Sequence, residues 1–296
     1  MKVVDLSKVI REDAGVMAFG FFDSIHVGHR QVISQAVSLA HTIGCVASVF
    51  LFKNNIYPLL GMEKYPIYTF DERLALIADL GVDVVYFVDA DKQYLSMSKE
   101  AFLSDISDKL SLKGFTCGKD FSFGAGGLGG VVDLISFIGG TYTVLDLAEA
   151  GGEKVSSERV RAALRVGDLR QVRAFLGREF SVLRTVVHGR SDGAKLGFPT
   201  LNTPLLTVPL LEGVYFTTVT VDGTAYRAVT NVGTHPTFGD MNSNIESFIL
   251  DFDRDLYGKE IKLTFLSYHR RIERFSDVAA LKERIAQDVA QRRLYD

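Results

Sequence analysis

The chain has 296 residues, of which 47% are hydrophobic and 23% are charged, as in ordinary soluble globular proteins. Its net charge of −3 provides no extended basic surface, so no nucleic-acid partner is expected. The apolar runs are short and interrupted, and the first residues lack the pattern of a signal peptide. We therefore expect a cytoplasmic protein without a membrane partner. Cys45 and Cys117 lie in apolar settings without metal-ligand spacing, and are interpreted as reduced core thiols.

The first half of the sequence alternates between strand and helix patterns. Apolar residues at helical spacing predict the helices, one of which begins with a capping box at residues 69–72. Alternation of this kind favours an α/β fold with a doubly wound, Rossmann-like parallel sheet over residues 1–155. Ligands of such sheets bind beyond the carboxyl ends of the strands. The predicted strands are residues 16–22, 45–52, 82–88, 115–118 and 141–147.

The second half changes character after a basic helical stretch, residues 156–180, which is predicted to be a connector. Several antiparallel strands are then predicted, and Asp222-Gly223 is typical of a type I′ hairpin turn. So many strands in residues 181–296 favour a small barrel with a C-terminal helix, because closure removes exposed sheet edges. The predicted strands are residues 181–188, 213–221, 224–232, 246–252 and 261–268, and the apolar face of the helix is Val278, Leu281, Ile285 and Val289.

Residues 19–29, Phe-Gly-Phe-Phe-Asp-Ser-Ile-His-Val-Gly-His, connect the first of these strands to a helix. His26 and His29 then lie near a helix N-terminus, where free N–H groups and the positive dipole end attract phosphate, and Gly28 leaves room for a ligand. Three interpretations are open: metal ligation, which lacks a third ligand in the motif, a structural pair of buried histidines, and contact with a nucleoside triphosphate. We prefer the last, because imidazole N–H groups would stabilise charge on phosphorus during nucleotidyl transfer.

Two further stretches of the first half offer groups to the same ligand. Residues 118–130 form a glycine-rich segment after a predicted strand, which could converge with the histidines or be a plain flexible loop. Residues 156–161, Ser-Ser-Glu-Arg-Val-Arg, start a helix with two hydroxyls and two guanidinium groups. Arg159 and Arg161 are candidate clamps on phosphate, and a capped, solvated basic helix is the alternative.

A second phosphate-handling loop is predicted between residues 188 and 202. Its backbone around Gly189 could surround a phosphate with Lys195 as an added charge, although it lacks the Walker pattern. Thr200 and Asn202 lie two residues apart on an extended segment, so their side chains share a face and offer oxygen ligands to Mg²⁺. The alternative is that both are turn residues before Pro204.

Glu246 is the candidate general base of the second half. Phe248 and Leu250 alternate with it, so its carboxylate is expected to point toward the barrel interior or mouth rather than to water. There it could take the proton from a substrate hydroxyl in phosphoryl transfer. A plain edge-strand residue is the alternative.

These residues together resemble the bacterial bifunctional riboflavin kinase/FMN adenylyltransferases, also called FAD synthetases, over nearly the whole chain. In the first half the resemblance rests on residues 19–29, 118–124 and 156–161. In the second it rests on Leu-Gly-Phe-Pro-Thr-Leu-Asn at 196–202, on residues 231–238, on residues 245–252 and on Leu-Tyr-Gly at 256–258.

The resemblance implies a nucleotidyltransferase domain followed by a Greek-key β-barrel kinase domain. The barrel would phosphorylate riboflavin with MgATP to give FMN, and the first domain would transfer AMP from a second ATP to give FAD. Glu246 would be the base, Thr200 and Asn202 would hold Mg²⁺, and His26 and His29 would bind the adenylylating ATP. The other implied nucleotide-binding residues are Phe19, Gly20, Phe22, Asp23, Gly28, Gly118, Asp120, Phe121, Ser156, Ser157, Arg159, Arg161, Gly189, Lys195, Gly197, Phe198, Pro199 and Asn231.

The departures from the family pattern lie mainly in the first half. Ser24 stands where Gly is usual, Ser122 where Arg is usual, and Glu158 where Thr is usual. Ser122 lacks the charge of the usual Arg, and a lost charged contact is worth about 1.5–3 kcal/mol, whereas Glu158 adds a negative charge, so adenylyl transfer is expected to be weakened. The alternatives are a monofunctional kinase, a non-catalytic flavin- or nucleotide-binding regulatory module, and an adenylyltransferase for another small phosphate. A monomer or weak homo-oligomer is expected.

Overall fold

The computed structural model describes residues 1–146, 148–188, 193, 196–206, 208–235 and 240–295, and for residues 234, 235 and 240–244 it describes the backbone alone. The chain divides into two compact units, Met1–Ser157 and Glu158–Asp296. The helices within residues 156–180 belong almost entirely to the second unit. That this stretch is a connector separate from both domains stays a prediction. No helix in the described ranges is long and apolar enough to cross a membrane.

The first unit alternates strands and helices along the chain, as its sequence pattern predicts. The elements are β1 (Lys2–Asp5), β2 (Glu12–Ala18), α1 (Val27–Ile43), β3 (Ala47–Phe52), α2 (Phe70–Ala78), β4 (Val84–Val88), α3 (Lys92–Leu95), α4 (Lys99–Lys109), β5 (Leu110–Gly118), β6 (Ser122–Phe123), β7 (Gly129–Gly130), α5 (Val131–Ile138), β8 (Thr141–Leu145), β9 (Glu149–Ala150) and β10 (Glu153–Lys154).

Six of these strands form one parallel sheet in the order β1-β4-β3-β2-β5-β8. The predicted α/β fold with a parallel sheet is confirmed. From β2 the chain passes to β3 on one side, and it later returns to place β5 on the other side. The strand order therefore reverses between β2 and β5, which is where ligands of such sheets bind.

Both faces of the parallel sheet are covered, because successive side chains of a strand point to opposite faces. Met17 of β2 packs in one core cluster with Phe50 and Phe115, whereas its neighbour Val16 packs in the other. Helix α1 adds Ile33 to the second cluster. The predicted capping box is present at the start of α2, where Thr69 and Glu72 each bond to the other's backbone N–H.

The second unit begins with two helices, the first of which starts at Ser157, the last residue of the first unit, and it continues as strands in the order that its sequence predicts. The elements are α6 (Ser157–Arg165), α7 (Leu169–Leu176), β11 (Phe180–Thr185), β12 (Thr200–Thr203), β13 (Gly213–Val221), β14 (Thr224–His235), β15 (Asp240–Ile249), β16 (Glu260–Arg270) and α8 (Val278–Leu294).

The strands of the second unit form one curled, antiparallel sheet in the order β11-β16-β13-β14-β15-β12. An isolated bridge, in which Val187 N donates to Asn202 O at 2.9 Å, joins the two edges of this half-barrel. The hairpin between β13 and β14 turns at Asp222 and Gly223, with φ values of 49° and 79°. Positive φ at both central residues is the geometry of a type I′ turn, so that prediction is confirmed.

The predicted apolar face of α8 is correct in part, because Leu281, Ile285 and Val289 are half-buried and Val289 packs against a core cluster. Val278 is 51% exposed, whereas Asp288 and Arg292 are buried. Asp288 accepts hydrogen bonds from Arg270 Nε at 3.0 Å and Nη2 at 2.7 Å, and Arg292 Nη2 donates to Thr217 O at 3.0 Å. An apolar pattern alone misses these two residues, because charged groups are buried when their partners lie on other elements.

Candidate active sites

A cleft of about 770 Å³ opens at the point where the order of the parallel sheet reverses. The segment after β2 and the segment after β5 form two of its walls, and the residues before α6 form a third. Eleven of the sequence-predicted site residues meet there: Phe19, Gly20, Phe22, His26, Gly28, His29, Gly118, Asp120, Phe121, Ser156 and Ser157. The expected convergence of the histidine loop with residues 118–121 is therefore present in the structure.

His26 caps the N-terminus of α1. Its Nδ1 accepts the hydrogen bond of His29 N at 3.1 Å, so in the neutral ring the proton resides on Nε2. The ring of His29 stacks on that of His26 with centroids 3.6 Å apart, and the ring of Phe22 meets His29 edge-on at 5.3 Å. The pair thus places an N–H donor beside a helix N-terminus, an arrangement that suits an anion.

The loop that carries the histidines is strained and tied down. Phe22 and Ile25 have φ values of 46° and 45°, which non-glycine residues rarely adopt and which cost of order 1–3 kcal/mol each. Asp23, between them, is buried and accepts hydrogen bonds from Tyr57 Oη at 3.2 Å and Ile67 N at 3.1 Å. Asp23 does not line the cleft, and its contact with a nucleotide stays a prediction.

The wall opposite the histidines approaches α1 closely. A Cβ at Gly28 would lie 3.0 Å from the Ala148 side chain and 3.2 Å from the His26 ring, so only glycine fits there without displacement. Ser24 Oγ lies 3.0 Å from Ser157 Oγ. Lys154, which also lines the cleft, lies with its Nζ 3.4 Å from Asp120 Oδ2.

The remaining wall is apolar and largely aromatic, and no pattern in the sequence indicates it. Its residues come from separate segments without regular spacing, so only the fold assembles them. The ring centroids of Phe21 and Tyr57 are 5.1 Å apart, and those of Phe50 and Phe102 are 5.8 Å apart. Members of this wall are Phe50, Phe52, Ile56, Tyr57, Leu60, Met62, Tyr94, Leu95, Met97 and Phe102.

The two predicted arginine clamps belong to the second unit. Arg161 is 2% exposed, and its Nη1 lies 3.6 Å from Glu158 Oε2. Arg159 is half-buried. Their contact with a triphosphate in the first unit stays a prediction.

In the second unit, three predicted residues form one row across neighbouring strands. Asn202 of β12 is paired with Glu246 of β15, and Glu246 is paired with Asn231 of β14. Side chains of directly opposite residues emerge on the same face, roughly 5 Å apart at Cβ. Thr200 lies two residues before Asn202 and is paired with Phe248, so it shares this face. The row combines one carboxylate, two amides and a hydroxyl.

Of the two positions expected for Glu246, the barrel interior or its mouth, the structure excludes the interior. Its neighbours Ile245, Ser247 and Ile249 are 0%, 0% and 6% exposed, so they occupy the buried face. Glu246 lies on the opposite face and is half-buried. The hydroxyls of Ser247 and Thr230 are 2.7 Å apart on the buried face of the sheet. An apolar pattern does not predict this face, because polar side chains are part of it.

A second cavity of about 320 Å³ lies at the end of the half-barrel. Pro199 and Thr200 line it together with Phe252 and Tyr257, whereas Asn202, Asn231 and Glu246 do not. Phe198 packs edge-on against Phe248 at 5.4 Å, and Gly197 is exposed with a φ of 85°. The predicted residues Gly189 and Lys195 lie outside the described residues.

Thr200 and Asn202 suit a hard cation such as Mg²⁺ better than a softer metal, because both offer neutral oxygen atoms. Among the described residues no group of three His, Cys, Asp or Glu side chains is arranged to hold a metal ion. A cation here would therefore need further oxygens from a ligand, as Mg²⁺ bound to nucleotide phosphates commonly has.

Comparisons with known proteins match both units. A family model described as FAD synthetase matches residues 9–159, and one described as riboflavin kinase matches residues 176–295. Bifunctional riboflavin kinase/FMN adenylyltransferases are similar over almost the whole chain. The protein of Listeria monocytogenes is 31% identical over 95% of this chain and 92% of its own length. The protein of Escherichia coli K12 is 33% identical over 94% and 91%.

A solved structure matches the chain as well. The crystal structure of a Streptococcus pneumoniae protein described as a macrolide-efflux protein covers 100% of both chains with a TM-score of 0.86 and 26% identity. That description applies to the pneumococcal protein, and the likeness shows a shared fold.

Proposed function

The chain belongs to the family of bifunctional riboflavin kinase/FMN adenylyltransferases, and we propose that it catalyses both reactions. It phosphorylates riboflavin with ATP to give FMN and ADP, and it adenylylates FMN with a second ATP to give FAD and pyrophosphate. The observation that carries the proposal is the match of both family models, in chain order, to the two units. Because both steps consume ATP, a cytoplasmic location suits the enzyme.

The kinase step is assigned to the row of Asn202, Glu246 and Asn231. The Glu246 carboxylate accepts the proton of the riboflavin 5′-hydroxyl as that oxygen bonds to the γ-phosphorus of ATP. The bond from the γ-phosphorus to the β–γ bridging oxygen breaks, and ADP leaves. The half-burial of Glu246 supports this role, because a base must be reachable by substrate and yet partly shielded from water.

Mg²⁺ is assigned to Thr200 and Asn202. When bound, the ion neutralises charge on the phosphate oxygens during transfer. The side chains of Thr200 and Asn202 share one face with Glu246, which supports the assignment of the Thr200 hydroxyl and the Asn202 side-chain carbonyl. The adjoining cavity at Pro199 and Thr200 is where the nucleotide would extend.

Adenylyl transfer is assigned to the cleft of the first unit. A phosphate oxygen of FMN attacks the α-phosphorus of ATP, and the bond to pyrophosphate breaks. His26 and His29 donate to the phosphate oxygens, and the N-terminal amides of α1 add their partial positive charge. The Nε2–H tautomer of His26, fixed by its bond to His29 N, supports this role.

The apolar wall of the same cleft is assigned to the flavin ring of FMN. An isoalloxazine is a flat, largely apolar ring system that stacks well on aromatic side chains. Phe52, Tyr57, Tyr94 and Phe102 provide such surfaces, and the histidines lie on another side of the cleft for the phosphate.

We also infer that the second unit is a Greek-key barrel. Strands β13, β14 and β15 are consecutive neighbours, and β16 returns to lie beside β13. The spatial order β16-β13-β14-β15 is that of a Greek key. The bridge between Val187 and Asn202 supports closure of the sheet.

An assay with riboflavin and MgATP, with products separated by chromatography, tests the proposal. We expect FMN first and then FAD. Formation of FMN without FAD would leave a monofunctional kinase, and formation of neither would refute the enzymatic proposal in favour of a non-catalytic flavin-binding module.

The Glu246→Gln variant tests the assignment of the base. We expect the rate of FMN formation to fall about 10²–10⁴-fold, because the amide cannot accept the proton. Riboflavin binding, measured by fluorescence quenching, and conversion of FMN to FAD should stay unchanged. Glu260→Gln, at an exposed position of β16, is the control and should retain kinase activity.

A further inference from the structure

We infer that Ser24 is a positioning residue for adenylyl transfer, and that it acts by orienting the hydroxyl of Ser157 toward the bound nucleotide. The inference rests on the function proposed for the first unit and adds a residue to which no role is assigned above. It starts from the distance of 3.0 Å between Ser24 Oγ and Ser157 Oγ.

The two hydroxyls differ in their access to the cleft. Ser24 is 0% exposed and does not line the cleft, whereas Ser157 is half-buried and does. A ligand in the cleft can therefore reach Ser157 and cannot reach Ser24. Any effect of Ser24 on the ligand must pass through a neighbour, and Ser157 is a neighbour that lies both within hydrogen-bond distance and at the cleft.

The backbone around Ser24 is fixed by contacts on both sides. Asp23 is held by Tyr57 and Ile67, and His26 caps α1 two residues later. The positive φ values of Phe22 and Ile25 persist because these contacts hold the loop in place. The Ser24 hydroxyl is thus presented from a rigid support, as a positioning group requires.

A hydroxyl carries one hydrogen and accepts through its lone pairs, so the direction of the Ser24–Ser157 bond decides what Ser157 can do. When Ser24 donates to Ser157 Oγ, the hydrogen of Ser157 is left to be donated into the cleft. A phosphate oxygen is a strong acceptor and favours this direction, since consecutive hydrogen bonds polarise one another. Ser24 then strengthens the contact of Ser157 with the nucleotide without touching it.

A double-mutant cycle of Ser24→Ala and Ser157→Ala tests this coupling. We expect each single variant to raise the KM for ATP in FAD formation roughly three- to tenfold, the effect of one hydrogen bond. In the Ser157→Ala background, Ser24→Ala should change this KM by less than about twofold, because its target is gone. The kcat of FAD formation should change less than the KM, and Ser24→Thr should retain the effect of the hydroxyl. Independent, multiplying effects of the two substitutions would overturn the inference.

Two controls separate positioning from stability. Ser48 is also 0% exposed, and it donates to Ala14 O at 2.6 Å. Unlike Ser157, the partner of Ser24, Ala14 does not line the cleft. Ser48→Ala should lower the unfolding temperature without raising the KM for ATP. FMN formation by the second unit should be unchanged in all of these variants. A rise in KM for Ser48→Ala equal to that for Ser24→Ala would overturn the inference.

A binding measurement keeps the inference separate from the proposed function. Calorimetric titration with α,β-methylene ATP does not require turnover, and any binding by the second unit is common to all members of the cycle. If the parent protein forms no FAD, the proposed function fails. The double-mutant cycle is then evaluated from the affinities of its four proteins for α,β-methylene ATP. Equal affinity of the parent, both single variants and the double variant would then overturn the inference as well.

Discussion

His26 uses the two nitrogens of its ring for different purposes. Nδ1 accepts from His29 N and thereby caps α1, which leaves the proton of the neutral ring on Nε2. A capping group typically contributes about 1 kcal/mol, so replacement of His26 would loosen the helix start as well as remove a donor. His29 is the cleaner test of phosphate binding, because its side chain does not act as the cap.

Cys117 shows how burial controls reactivity at the residue scale. It is 0% exposed at the end of β5, and burial, with a smaller effect of the Asp120 charge, raises the pKa of its thiol to about 11. Because thiolate is the reactive form, alkylation by iodoacetamide at pH 8 should be much slower at Cys117 than at the half-buried Cys45. Mass spectrometry of the labelled peptides over time measures both rates, and the urea-unfolded chain is the control. Equal rates in the folded protein would contradict the prediction.

At the scale of elements, the interior of the second unit contains a line of hydroxyls across β13, β14 and β15. Thr217 Oγ1 and Thr230 Oγ1 are 2.7 Å apart, and Thr230 Oγ1 and Ser247 Oγ are 2.7 Å apart. All three side chains are 0% exposed. Their mutual bonds satisfy groups that would otherwise be costly to bury.

Replacement of Thr230 by Val should destabilise the second unit by about 1–3 kcal/mol, because it removes the shared partner of Thr217 and Ser247 while keeping the side-chain volume. Urea unfolding followed by circular dichroism measures the change. Thr218→Val, on the more exposed face of β13, is the matched control and should have little effect. An unchanged midpoint for Thr230→Val would show that the buried hydroxyls contribute nothing net.

Helix α5 depends on a pH-sensitive cap. Asp133 accepts from Gly130 N at 2.9 Å and from Lys99 Nζ at 2.6 Å, and these bonds, that from Lys99 first, lower the pKa of Asp133 below 3.8. Because the pKa of Asp133 is lower in the folded state than in the unfolded state, its stabilisation is fully present at pH values above the unfolded-state pKa. The stabilisation is lost as the pH falls through the folded-state pKa.

The difference in urea midpoint between the parent and Asp133→Asn should therefore be constant between about pH 5 and pH 8 and shrink below about pH 4. Asp108→Asn, at an exposed position of α4, should show no difference at any of these pH values. A difference that grew in acid would contradict the assignment of the sign.

At the scale of the whole molecule, the two proposed sites lie in separate units and share FMN, the product of one and the substrate of the other. Each unit has its own core and its own candidate site. The activities should therefore be separable by substitution, and FMN should pass between molecules through solution.

A mixture of Glu246→Gln and His29→Ala proteins should convert riboflavin to FAD although neither does so efficiently alone. The first protein supplies adenylyl transfer and the second supplies FMN. FAD should appear after a lag that shortens as the concentration of the His29→Ala protein increases. Chromatography of timed samples measures the formation of FAD. The Glu246→Gln protein alone, at the total protein concentration of the mixture, is the control. Failure of the mixture, with each retained activity intact, would show that FMN is not exchanged.

The sequence by itself determined the order of elements, the parallel sheet followed by antiparallel strands, the capping box and the hairpin turn. These features depend on local spacing, since capping and turn geometry act within a few residues. It also predicted the family, because the motifs around His26 and Thr200 lie on short continuous stretches.

Only the tertiary structure decided which face of β15 is buried, since Ser247 can be buried only where Thr230 meets it across the sheet. The same holds for Asp288 in α8, whose burial depends on Arg270 of β16. The aromatic wall and the pairing of Ser24 with Ser157 also join segments far apart in the chain. The physical reason is common to all of them: the free energy of burying a polar or aromatic side chain is set by the partner that the fold brings to it.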